Sequence, residues 1–226
     1  MENRKPLCYN NKRGGKMSAR IFRLDEYNID IFAINECVTL LKKGGLAIFP
    51  TETVYGIGAN AFDEKAVLSL YEKKQRPLSK PLLMHVSGLE MAESVGILDD
   101  TARELIKRFT PGPLTLVVKK KPNVPSVAVA GGDTVGLRFP SNKIFLALSN
   151  SFSAPIAATS ANISGFKSVS SASELDNVTS AADIILDGGE CEYGLESTIV
   201  SLVNEKPEIL RYGSFSKETL EEVLGL

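Results

Sequence analysis

Short apolar runs recur along the chain at 46–49, 82–86 (LLMHV), 114–118 (LTLVV), 134–139 (TVGLRF), 155–158, 184–186, 197–203 (STIVSLV) and 208–211, and each reads as a β-strand. Between several of them the spacing turns helical. Ile31, Ile34, Val38 and Leu41 recur three to four residues apart within 30–42, and Val67, Leu70 and Tyr71 share one face of 64–75. A helix starts at Thr101-Ala-Arg-Glu and is ended by Thr110-Pro111. Ser171-Ala-Ser-Glu174 has the form of a capping box, and Ser216 caps a last helix running to about Leu224. Strands alternate with helices early, while several later strands follow one another closely. The pattern predicts an α/β fold with a twisted mixed sheet and flanking helices. With no repeats and no linker, it also predicts one domain over residues 21–226.

The stretch FPTETVYGIGANAF (49–62) stands apart from this alternation. An apolar run stops at Pro50 and is followed by Thr51, Glu52, Thr53 and Tyr55, then by Gly56 and Gly58. A plain turn needs one or two such residues, so the segment reads as the rim of a site for something small and polar.

Composition narrows the classes. The chain has 226 residues and 43% hydrophobic content, enough for a core. No apolar run approaches the roughly 18 residues that span a bilayer, and the basic N-terminus lacks the apolar stretch of a secretory signal. Cys8, Cys37 and Cys191 are widely spaced, which gives no disulfide framework and no metal knuckle. These features predict a reduced, cytoplasmic protein. The net charge is −1, yet Arg4, Lys5, Lys12, Arg13, Lys16 and Arg20 crowd residues 1–20 against Glu2 alone. Residues 1–20 therefore read as a disordered basic leader, with Met17 a candidate start. The acidic remainder opposes nucleic-acid binding through bulk electrostatics.

Several chemistries are excluded. His85 is the one histidine, so no HExxH site exists, and there is no G-x-S-x-G elbow for a triad. GGDTVGLR (131–138) has the GxxxxG spacing of a P-loop but Leu137-Arg138 in place of Lys-Ser/Thr. Five constellations remain. Lys73, Lys74, Arg76 and Lys80 lie among stiffening prolines at 77 and 81, suited to a polyphosphate or to a solvated helix end. Arg138 sits inside an apolar strand and needs an anionic partner, either a structural Asp or a substrate carboxylate. Ala158-Thr-Ser160-Ala-Asn162 offers hydroxyls and backbone N–H groups, as a phosphate loop or as an ordinary turn. Glu196-Ser197-Thr198 precedes a strand and Arg211-Tyr212-Gly213 follows one, each a site or a turn. His85 itself fits a core position as well as a site.

The combination is more specific than its parts. FPTETVYGIGANAF, K-x-R-P at 74–77, PL at 81–82, HV at 85–86, PGPLT at 111–115, GLRFP at 136–140, SANISG at 160–165, ESTIV at 196–200 and LRYG at 210–213 resemble the YrdC/YciO family, in order, from about residue 21 to the C-terminus. The resemblance implies a YrdC-like fold in its single-domain form, with a large concave, basic-lined cavity. It implies synthesis of threonylcarbamoyl-adenylate from L-threonine, bicarbonate and ATP, with release of pyrophosphate. A partner tRNA threonylcarbamoyl transferase would then modify adenosine 37 of tRNAs reading ANN codons. Carried over by position, Thr51, Thr53, Tyr55, His85, Arg138, Ala158 and Ser197 would hold threonine. Lys74 and Arg76, as the catalytic pair, and Lys80, Thr134, Ser160, Asn162, Ser168 and Arg211 would hold ATP. Mg2+ would accompany the ATP phosphates without a protein cage. Two alternatives stand beside this: an RNA- or tRNA-binding module of the same fold, and a YciO-like paralogue or carbamoyl-transfer relative with a different activity.

Overall fold

Every apolar run named above is a strand of one sheet. In a computed structural model of the chain, which describes residues 9–10, 19–163, 165–177 and 179–225, the sheet has twelve strands among the described residues. They are β1 (Tyr9–Asn10), β2 (Arg20–Arg23), β3 (Ala47–Phe49), β4 (Gly56–Asn60), β5 (Leu83–His85), β6 (Gly96–Ile97), β7 (Leu114–Lys120), β8 (Thr134–Arg138), β9 (Ile156–Ser160), β10 (Ile184–Asp187), β11 (Thr198–Ser201) and β12 (Glu208–Arg211). The spatial order is β1-β2-β10-β3-β4-β9-β5-β8-β7-β11-β12, with β6 paired to β7. Neighbours β2–β10, β10–β3, β5–β8 and β7–β11 are parallel and the other pairs antiparallel, so the sheet is mixed as the pattern predicts. The helices are α1 (Ile31–Lys42), α2 (Glu64–Lys73), α3 (Leu89–Glu93), α4 (Asp100–Phe109), α5 (Lys143–Phe152) and α6 (Lys217–Leu224). Of the basic leader, residues 1–8 and 11–18, including Cys8 and Met17, lie outside the described residues; Tyr9 and Asn10 pair antiparallel with Ile21 and Arg20. No helix of the described residues is long and apolar enough to cross a membrane.

The strands read as unbroken apolar runs because their two faces enter two separate cores. Along β3, Ala47 and Phe49 face one cluster, Leu46 and Ile48 the other. Along β9, Ile156 and Ala158 alternate with Ala157 in the same way. One cluster packs under α2, α3, α4 and α6 and runs the length of the sheet through β7, β8 and β11. The opposite cluster, under α1 and α5, covers only the half built from β2, β10, β3, β4 and β9. Beyond those helices the same face is open, and there Thr134, Gly136, Arg138, Val117 and Ile199 line a cavity. Partial coverage of one face is what creates space for a ligand.

Three local features go beyond or against the sequence pattern. Gly56 and Gly58, read as part of a site's rim, belong to a strand, with β4 paired between β3 and β9. Glycine weakens a strand unless something approaches closely. A Cβ on Gly58 would lie 2.6 Å from Ile156 Cγ2 and 3.1 Å from the Ala157 carbonyl oxygen, so the close packing of β9 requires glycine there. Second, Ser171–Glu174 does not open an α-helix. Glu174 N–H donates to the Ser171 carbonyl at 3.0 Å, and residues Ala172–Asn177 form a 3-10 helix. The Ser171 hydroxyl meets Ser173 and the Glu174 carboxylate accepts from Ser170 N–H, so neither reciprocal bond of a capping box is made. Third, α5 carries a helical stripe, Ile144, Phe145, Leu148 and Phe152, that the strand-rich surroundings obscured, and Asn142 caps it through Ile144 N–H and Phe145 N–H.

Replacing Gly58 with valine is expected to destabilise the fold by about 1–3 kcal/mol, the usual range for overpacking. Chemical denaturation checks this, and an unchanged midpoint would contradict the packing argument.

Candidate active site

The open half of the sheet holds a cavity of about 410 Å³. Its floor follows from strand periodicity: Thr134, Gly136 and Arg138 are alternate residues of β8, so all three face the same side. In β5, His85 stands opposite Arg138 in register, and Leu83 opposite Gly136. The loop between β3 and β4 brings Thr51, Thr53 and Tyr55 to the wall, and β9 brings Ala158 and Ser160. Arg76 and Lys80 come from the turn after α2, Ser197 from the start of β11 and Arg211 from the end of β12. All these positions except Leu83 and Gly136 are candidate site residues in the sequence. Of the remaining candidates, Lys74, Asn162 and Ser168 lie behind the wall.

Arg138 is the anchor. Its side chain is 2% exposed and its partner's 3%. That partner is Glu52, which accepts from Arg138 Nη2, while Nη1 donates to the Gly112 carbonyl. Of the two partners the sequence leaves open, a structural Asp or a substrate carboxylate, the buried cation has a structural carboxylate, which is a Glu from the β3–β4 loop. Glu52 Oε2 also accepts from Ser141 N–H at 2.8 Å. Burial lowers the Arg138 pKa, and Glu52 opposes that shift by favouring the charged form.

The two threonines form a polar corner beside this pair. Thr51 donates its hydroxyl proton to the Val54 carbonyl at 2.6 Å, so Thr53 is the donor in the Thr51–Thr53 pair at 2.9 Å. This leaves Thr53 lone pairs facing Arg138 Nη2, 3.5 Å away, and the cavity. Tyr55 offers only its ring: its hydroxyl donates to the Gly189 carbonyl at 2.7 Å and accepts from Gly188 N–H at 3.1 Å. Burial pushes the Tyr55 phenol pKa up, with Asp187 adding to the shift.

His85 is wedged between Phe49 and Phe145, with ring centroids 5.9 and 5.8 Å away. Burial, and then the Arg138 charge, push its pKa down to about 3, so it is neutral near pH 7. Lys74 is also buried. Its Nζ donates to the Ser160 carbonyl and reaches Asn162 Oδ1 at 3.4 Å. It therefore braces the Ser160–Asn162 turn from behind, and Asn162 Nδ2 extends the brace to the Phe166 carbonyl. Burial first, and then Arg76, lower the Lys74 pKa to about 7. Ser164 of the same segment lies outside the described residues.

Arg76 uses Nε and Nη2 on the carbonyls of Lys80 and Pro81, at 3.1 and 2.8 Å, so it shapes the proline-bounded turn while facing the cavity. Arg211 is held by Glu196 at 2.5 Å and by the Ser197 carbonyl. Glu196 in turn accepts from the Ser168 hydroxyl at 2.8 Å, which links Ser168 to the wall at one remove. Glycine is required at Gly213, where a Cβ would come within 2.2 Å of the Glu196 carbonyl oxygen. Sequence reasoning missed the roles of Glu52, Glu196 and Thr115, whose hydroxyl pairs with Ser197 Oγ at 2.8 Å. A buried arginine signals an acid somewhere, but only the fold shows which one.

The His85 shift carries a consequence for stability. The folded protein resists protonating His85 until about pH 3, whereas the unfolded chain binds that proton near pH 6.5. Its contribution is therefore complete above pH 6.5 and is lost as pH falls towards 3. Denaturation midpoints measured from pH 7 to pH 4 are expected to fall more steeply for the wild type than for His85→Phe. Parallel curves would contradict a buried neutral imidazole.

The chain resembles known proteins in both sequence and fold. A family model described as Sua5_yciO_yrdC, telomere recombination, matches residues 39–213. Threonylcarbamoyl-AMP synthase of Pyrococcus abyssi is 43% identical over 205 residues, which cover 90% of this chain and 59% of the relative. The crystal structure of P. abyssi Sua5 complexed with L-threonine superposes with a TM-score of 0.88 at 42% identity, covering 91% of this chain and 61% of that one. E. coli YciO superposes with a TM-score of 0.82 at 26% identity, covering 91% of this chain and 99% of its own. The chain thus spans about three-fifths of the length of the threonylcarbamoyl-AMP synthase it resembles. By its matched residues and its fold, this chain belongs to the Sua5/YciO/YrdC family.

Proposed function

We propose that the chain is a nucleotidyltransferase that makes threonylcarbamoyl-adenylate from L-threonine, bicarbonate and ATP, releasing pyrophosphate, and that it acts in the cytoplasm. The observation that carries this reading is that one cavity joins two different kinds of site. Arg138, Thr53, His85 and Ser197 form an amino-acid-sized polar corner, and Arg76, Lys80 and Arg211 supply cations for phosphates. The threonine-bound relative supports the first assignment. The two regions adjoin, since Arg211 Nη2 lies 3.3 Å from Ser197 Oγ.

The chemistry asks little of the protein beyond placement and charge. Threonine's amine and bicarbonate condense to a carbamate with loss of water. A carbamate oxygen attacks the α-phosphorus of ATP, and the bond to the pyrophosphate oxygen breaks. The carbamate is already a nucleophile, so no strong general base is needed, in keeping with a neutral His85. Both reactants are anions, and Arg76, Lys80 and Arg211 lower their repulsion and stabilise charge developing on the phosphates. Mg2+ enters as part of the ATP substrate. The one carboxylate on the wall, Glu196, is already held by Arg211 and Ser168, so the ion would ride on phosphate oxygens and water. The product is a labile mixed anhydride that must be consumed promptly, and the reading assigns that step to a separate tRNA threonylcarbamoyl transferase, with tRNA contact to this chain weak. The higher identity to Sua5 than to YciO favours the synthase over a YciO-like activity. The −1 net charge weighs against an RNA-binding module.

Calorimetric titration tests the division of the cavity. Arg76→Ala is expected to weaken ATP binding by about 10- to 100-fold while leaving threonine binding nearly unchanged. Arg138→Lys, which keeps a cation opposite Glu52 but loses the guanidinium fork, is expected to do the reverse. Equal effects on both ligands, or full activity in both variants, would sink the assignment.

A further inference from the structure

The cations that face this cavity differ in how they are compensated; Arg211 pairs with Glu196, and both side chains keep over a third of their surface exposed. Among the described residues, neither Arg76 nor Lys80 has a carboxylate within ion-pair distance, and both open onto the space proposed for phosphates. Arg138 is different: it is fully buried against a carboxylate that is itself buried. Glu52 is not part of the cavity wall. It stands behind Arg138 and joins four segments: its own loop, β8 through Arg138, the following turn through Ser141 N–H, and the 188–194 loop through Tyr193 N–H on its carbonyl at 2.9 Å.

An arginine held this way offers a ligand a directed N–H but almost no net charge. Nη1 is spent on Gly112 and Nη2 on Glu52 and Thr53, and Nε makes no hydrogen bond among the described residues. A zwitterionic amino acid has no net charge and gains from directed donors. Inorganic phosphate or a triphosphate gains chiefly from unneutralised positive charge. An uncompensated guanidinium beside Arg76 and Lys80 would let a polyphosphate spread across both regions and occupy the amino-acid corner.

Building on the proposed function, we infer that Glu52 is a positioning residue that sorts the two substrates. It neutralises and orients Arg138 so that this corner accepts a zwitterionic amino acid and rejects phosphate. Among the described residues no group other than Glu52 supplies that neutralisation: the one wall carboxylate, Glu196, is committed to Arg211.

The test is threonine titration of the whole protein with and without inorganic pyrophosphate, for the wild type, Glu52→Gln and Glu52→Asp. In the wild type, pyrophosphate should leave the threonine Kd within about twofold, because it binds elsewhere in the cavity. In Glu52→Gln, which keeps shape and an acceptor but loses charge, threonine binding should weaken about tenfold and pyrophosphate should compete with it. Glu52→Asp keeps the charge and should restore the rejection of pyrophosphate even if threonine affinity falls. A merely structural Glu52 would lose threonine affinity in both variants with no gain in pyrophosphate competition, and that result would overturn the inference. If Glu52→Gln does not fold, the wild-type arm still decides: competition between pyrophosphate and threonine there refutes the sorting role. Wild-type protein that binds no threonine at all would overturn the functional reading as well, which separates the two failures.

Discussion

A guanidinium cannot sit in a protein interior without an anion, and the cavity is arranged around the way Arg138 meets that demand. Its position on β8 is fixed by two parallel and antiparallel neighbours, β5 and β7, so the side chain has little freedom to seek solvent. The acid has to come to it, and Glu52 arrives on the loop between β3 and β4. Breaking such a buried pair by removing one member typically costs about 3–5 kcal/mol, because the remaining charge is stranded. The loop that carries Glu52 also carries Thr51 and Thr53, so one ion pair sets the position of the polar corner as a whole. This explains why four hydrogen-bonding side chains follow Phe49: one anchors, one turns the chain, one faces the ligand space and one ties down the 188–189 loop.

The second constraint is coverage. A sheet with helices on both faces is a closed core, and a sheet with one bare face exposes too much apolar surface. Here α1 and α5 cover half of one face, and the other half sets Thr134, Arg138, His85 and Ser197 among apolar residues such as Val117 and Ile199. Small residues matter as much as charged ones. Gly136 and Ala158 keep the floor low, and Lys74 and Asn162 brace the Ser160 turn from behind without entering the space. The proposed reaction needs two anions brought together in a shielded place, which such a floor provides without a dedicated acid–base pair.

Much of this was legible in the sequence, for definite reasons. Strand positions showed because both faces of those strands are buried, which makes unbroken apolar runs. The wall residues showed because Arg138 in an apolar strand, or Arg76 between prolines, has few structural explanations. What the sequence left open depends on distance in space. Glu52 lies far from Arg138 along the chain, so its partnership appears only when β3 and β8 are in one sheet. Lys74 and Arg76 look alike in a run of cations, yet the end of α2 turns one into the interior and the other to the cavity. The strand position of Gly56 and Gly58 shows only once the closeness of Phe49 and Ile156 is known. The capping-box pattern at Ser171 failed because the local hydroxyls found nearer partners.

The central claim is that a single cavity unites an amino-acid corner with a phosphate-binding region for one reaction. The most direct measurement is pyrophosphate release from ATP by the purified protein, with threonine and bicarbonate omitted one at a time. The account predicts release that requires both and is poorly supported by serine. Release that is indifferent to threonine, or none under any combination, would contradict it.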